Sequence, residues 1–138
     1  MAKLDGIIRF RKWVLDEQRR ELAVLLDERA QTVAELEKLD AEIEAQKTMA
    51  HSDLGSMTLG AYIEGARKKR AWILDAIRKK DQDIEEKQDV VADAFKELKT
   101  FEIADGRQKD RLKKELDRQE QNELDDLGRR TFENASSL

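Results

Sequence analysis

Apolar side chains recur along this chain with a period of about 3.5 residues. The pattern breaks only once, at Ser52-Asp53-Leu54-Gly55-Ser56-Met57-Thr58-Leu59-Gly60. Such a chain folds as two long helices and a turn, because a period of 3.5 sustained over six heptads indicates coiled-coil packing. With Ile8 at position a, the a series is Ile8, Leu15, Leu22, Arg29, Leu36, Ile43 and Ala50. The d series is Arg11, Gln18, Leu25, Thr32, Leu39 and Gln46, with Leu26 and Val33 widening the stripe. The second seam reads Ile63, Ala66, Arg70, Ile73, Ile77, Lys80, Ile84, Lys87, Val91, Ala94, Leu98 and Phe101. It falters at Asp105-Gly106-Arg107-Gln108 and resumes in shifted phase at Leu112, Leu116, Leu124 and Leu127.

The fold expected is all-α, a long antiparallel two-helix coiled-coil hairpin forming one domain over residues 1–138. Its helices should run over about 4–50 and about 59–131, with a turn at about 51–58 and a frayed tail at 132–138. Thr58 is read as the cap of the second helix. The chain has no proline, so nothing forbids helices of that length. Charged residues are 42% of the chain and aromatics 5%, which excludes a thick core and makes disorder the competing reading. The regular apolar spacing decides against disorder.

A turn near residue 55 makes residue i face roughly residue 110 − i. Residues 21–53 hold nine acids against three bases, and 67–80 seven bases against one acid. The register lays Glu35, Glu37, Asp40, Glu42 and Glu44 against Arg67, Lys68, Lys69 and Arg70, so charge and apolar pattern agree. It also places Leu4 near Gly106, so everything beyond about residue 107 overhangs.

No motif supplies catalysis. Cysteine is absent, and there is no phosphate-binding glycine loop and no metal-ligand spacing. The one histidine, His51, adjoins the turn, where a helix C-terminus favours it. Catalytic, cofactor and metal sites are therefore expected to be none. The absence of thiols suits the cytosol. The N-terminus lacks a signal-peptide core, and no stretch reaches the ~20 apolar residues of a membrane span. A net charge of −4 argues against general nucleic-acid binding. The cluster Arg67-Lys68-Lys69-Arg70 with Arg78-Lys79-Lys80 could track a phosphate backbone, or pair with the acidic run across the coil. Trp13 and Trp72 fall at outward positions, f and c; large aromatics left in water suggest a binding surface, and tryptophan is enriched among binding hot spots. A third helix or a folded-back tail covering these rings is the competing reading.

The run Leu4-Asp5-Gly6-Ile7-Ile8-Arg9-Phe10-Arg11-Lys12-Trp13-Val14-Leu15-Asp16-Glu17 resembles the opening of FliJ-type flagellar proteins: an apolar stretch, an Arg-x-Arg-Lys core, then an acidic pair. The run Arg118-Gln119-Glu120-Gln121-Asn122-Glu123-Leu124-Asp125-Asp126-Leu127-Gly128-Arg129-Arg130 is similar to the closing segment of that family. The resemblance implies a stalk-like antiparallel coiled coil of the flagellar type III export apparatus. It implies as partners a hexameric export ATPase of the FliI kind, an export gate protein of the FlhA kind, and export chaperones, with a location at the inner membrane through those partners. On that reading Arg9, Arg11, Lys12, Trp13, Asp16 and Arg20, with Glu120, Gln121, Leu124, Asp125, Asp126, Arg129 and Arg130, face the ATPase ring. Trp72, Ile73, Lys79 and Lys80 form a second contact, for the gate. Injectisome stalk proteins share the plan. A scaffold or tether with no ATPase partner is the alternative function, and a nucleic-acid-associated hairpin using residues 67–80 the third.

Overall fold

In the computed structural model the described residues are 2–49 and 53–136, and all of them are helical: α1 is Ala2–Met49 and α2 is Asp53–Ser136. The fold is all-α, with two long helices packed antiparallel, as the seam demands. No described residue has a cis peptide or a positive φ. Two boundaries differ from expectation. Helix α2 starts at Asp53, so Thr58 lies inside it and cannot cap it. It also runs to Ser136 rather than fraying at 132, because no proline or left-handed glycine stops it. His51 and Ala50 lie outside the described residues.

Contacts divide the chain into two units, one of residues 1–13 with 95–138 and one of residues 14–94. In the second unit the seam is visible as burial. Leu15, Leu39, Ala66, Ile73, Ile84 and Ala94 are each below a tenth exposed. Leu36, Ile43, Tyr62 and Ile77 pack against the cluster of Leu39, Ala66 and Ile73. Among described residues no large side chain falls below 2% exposure, so the core is a single line of contacts.

Ion pairs across the second unit fix its register. Arg29 pairs with Asp81, and Arg70 Nε donates to Asp40 at 2.9 Å. Lys80 reaches Glu28 at 3.5 Å, and Lys87 Nζ donates to Glu21 at 2.6 Å and Gln18 at 3.0 Å. Each pair falls on or near the 110 − i rule. The polar residues assigned to the seam are thereby accommodated: their stems lie along it while their charged ends emerge at its edge. Arg70 emerges furthest and is an exposed residue, and Leu26 is 46% exposed rather than part of the stripe.

In the first unit Ile8 and Arg11 of α1 are half-buried, and Leu98 and Asp105 of α2 are buried, with Phe101 between them in sequence half-buried. The seam therefore continues in phase through Asp105, four residues beyond Phe101, where the sequence suggested that it falters. Asp105 Oδ2 accepts from Lys109 at 2.8 Å, while its Oδ1 is buried without a partner. The Asp105 carboxylate raises the pKa of Lys109.

Candidate partner-binding surface

Helical periodicity sets the surface of the first unit. Residues at positions c and f of a coiled coil point away from the partner helix, and Phe10 and Trp13 occupy them in α1. Both are exposed, at 55% and 58%, and their rings stack at 6.2 Å with an interplanar angle of 23°. Among the described residues neither a third helix nor the tail of α2 covers Trp13. Arg9 and Lys12 flank the rings, exposed and without an ion pair among the described residues.

Arg11 departs from the role given to it. Its side chain is only 32% exposed, it pairs with Glu97 of α2, and its guanidinium lies 5.7 Å from the centroids of both the Phe10 and Phe101 rings. It joins α1 to α2 rather than facing outward.

In α2 every residue from Gly106 to Ser136 is exposed. This stretch includes Leu112, Leu116, Leu124, Leu127 and Phe132, between 47% and 74% exposed. Among the described residues its ion pairs run along its own helix, Arg118 with Glu115 at 2.7 Å and Arg129 with Asp126 at 2.5 Å. Gln121 donates to Asp125 at 3.1 Å. The Arg118 guanidinium holds the Glu115 carboxyl below its ordinary range. Leu124, Asp125, Gly128, Arg129 and Phe132 line a shallow groove on this helix. Glu120, Gln121, Leu124, Asp125, Asp126, Arg129 and Arg130 are thus all accessible. Among the described residues no hydrogen bond, ion pair or ring contact joins them to Arg9–Trp13, although both motifs belong to one unit.

Asp16 and Arg20 belong to the second unit; both are exposed, and Arg20 pairs with Glu17. Of the second contact, Trp72 is 72% exposed. Ile73 is 2% exposed, the centre of the core cluster, and cannot meet a partner without unpacking the coil. Lys80 is engaged by Glu28, and Lys79 is tied to Asp75 at 3.2 Å. The sequence pattern could have excluded Ile73, since it sits on the seam one residue after Trp72.

Among the described residues the basic run of α2 forms one ion pair with the acidic run of α1, Arg70 with Asp40. Arg67, Lys68 and Lys69 are exposed without an ion pair among the described residues, although Lys69 shares a groove with Glu35 and Glu42. Among the described residues there is no cluster able to hold a metal ion and no helix long and apolar enough to cross a membrane.

Comparison with curated proteins and with solved structures gives no match. The sequence profile of one family, described as the flagellar FliJ protein, matches residues 1–137, nearly the whole chain. The chain belongs to the flagellar FliJ family and is a flagellar export-associated protein.

Proposed function

We propose that this FliJ-family protein acts without catalysis, by contact, as a stalk-like and chaperone-like component of flagellar type III export. Its first unit binds the hexameric export ATPase and promotes its assembly, and the protein links that ATPase to the export gate. It works at the inner membrane through those partners. One observation supports the reading above others: α2 stays exposed from Gly106 to Ser136 and carries accessible leucines there. A long helix in water gains little from propensity alone, and its apolar side chains are useful only against something else. Arg9, Lys12 and Trp13, with Glu120, Gln121, Leu124, Asp125, Asp126, Arg129 and Arg130, are the contact residues proposed in this unit. Trp72 with Lys79 is proposed for the gate.

The test is co-sedimentation and ATP turnover with the cognate FliI-type ATPase. The full chain should raise ATPase oligomerisation and turnover, and Trp13→Ala or Leu124→Ala/Leu127→Ala should weaken both. A chain that neither binds nor stimulates the ATPase leaves a scaffold or tether as the better reading. The unpaired Arg67, Lys68 and Lys69 favour a second reading, nucleic-acid association. It requires binding at about 50 mM salt that weakens steeply as salt rises.

A further inference from the structure

Trp13, Phe10, Arg11 and Phe101 form a chain of ring and cation–π contacts within the first unit. Trp13 lies on Phe10, and the Arg11 guanidinium lies 5.7 Å from the centroid of Phe10 and 5.7 Å from that of Phe101 of α2. The fork of Arg11 is held at the same time by Glu97, four residues before Phe101. We infer that Arg11 is a positioning residue: it ties the outward Phe10–Trp13 pair to α2 as a fixed aromatic platform. The partner protein reads that platform rather than the charge of Arg11.

The chemistry favours arginine at this place. A guanidinium is planar, stacks on ring faces and still offers in-plane donors to a carboxylate, whereas an ammonium is a compact charge that cannot do all three. Cation–π attraction needs the cation within about 6 Å of the centroid, and both rings satisfy this. The arrangement also leaves Arg11 Nε buried with no hydrogen-bond partner. An orphaned donor is costly, so the rings and Glu97 must outweigh it in holding the side chain there. An exposed tryptophan on a lone helix would keep several rotamers and have to be ordered on binding. One already stacked on an anchored neighbour loses less on association.

The inference concerns the same surface as the proposed ATPase contact, and its binding arm rests on that reading. In a Trp72→Phe background Trp13 is the only tryptophan. Arg11→Lys, which keeps the charge, should collapse the ring-current shifts of the Trp13 indole toward random-coil values and lower its fast-time fluorescence anisotropy. Far-UV circular dichroism should stay unchanged. Glu97→Gln, which keeps a hydrogen-bond acceptor and both ring contacts, should retain most of the shift. Against the ATPase, Arg11→Lys and Trp13→Ala should each weaken binding about tenfold or more. The double variant should bind no worse than Trp13→Ala alone, since the two act through one surface. Unchanged ring-current shifts in Arg11→Lys overturn the inference, as do binding losses that simply add. An unmodified chain that fails to bind the ATPase overturns the function proposed above, while the free-chain spectra still decide whether Arg11 orders the platform.

Discussion

Ile73 and Trp72 are neighbours in sequence and opposites in environment, which makes them a sharp test of the packing frame. Ile73→Ala removes both γ carbons and the δ carbon from a side chain that is 2% exposed. At ~0.8 kcal/mol per buried carbon group this costs about 2.4 kcal/mol. Enclosed cores add a cavity cost that takes such changes to as much as ~5 kcal/mol. Here Leu36, Ile43, Tyr62 and Ile77 around the cluster are only partly buried, so they can settle into the space, or water can enter. The expected loss is therefore about 2–3 kcal/mol. Trp72, at 72% exposure, loses almost no packing when truncated, and its change should stay within about 0.5 kcal/mol. Urea unfolding followed by helical ellipticity reads the difference as a midpoint drop of about 1–2 M for Ile73→Ala, with Trp72→Ala near the parent. Equal drops for the two variants would show that Trp72 is packed, and the outward frame assigned to it would be wrong.

Lys87→Leu should stabilise the second unit by about 1–2 kcal/mol, because a seam position gains apolar contact. Its former partner Glu21, 55% exposed, is left in water at little cost; a lower urea midpoint would contradict this. Hydrogen exchange should be faster across residues 106–136 than across 58–105, since only the latter pack on α1. Gly106→Ala, whose added methyl meets nothing within 4 Å, should slow exchange on the exposed helix by favouring it about 1 kcal/mol. Asp75 should titrate by NMR below 3.8, held down first by Lys79 and then by Arg78. A lowered carboxyl stabilises above its unfolded pKa, and that contribution disappears as pH falls through the folded value. A midpoint at or above 3.8 would mean that these pairs do not form in solution.

The seam, the antiparallel register and the long second helix were legible because they rest on period and charge, which are properties of sequence spacing. Leu15, Leu39, Ile73 and Ile84 are buried where the heptads place them. Start and stop positions were less legible, since Asp53–Thr58 carries turn-like residues that helix continuity overrides. Asp105 was missed because an acid reads as a seam break, whereas its position four residues after Phe101 keeps it on the buried face. The candidate surface was legible in its exposed members, Trp13 and the motif at 118–130. Arg11 was not, because its identity suggests a surface contact while its d position takes it inward, within reach of two rings. No spacing rule reveals a cluster that draws on both helices.

The cross-pairs of the second unit also bear on how α1 and α2 find each other. Sliding one helix by a single heptad, about 10.5 Å, returns every seam residue to a seam position, so apolar burial barely resists it. The lysines resist it no better in one direction, although the opposite slip would set Lys87 against Val14. In the first direction Lys80 would meet Glu35 and Lys87 would meet Glu28, exchanging one carboxylate for another. Arg29 would then face Gln88 in place of Asp81, and Asp40 would face Ile77 in place of Arg70. The alignment of this coil is thus written in its two arginine–aspartate pairs. A chain that kept every leucine and isoleucine but lost those pairs would still be helical and still collapse, with its strands free to settle one notch out of step.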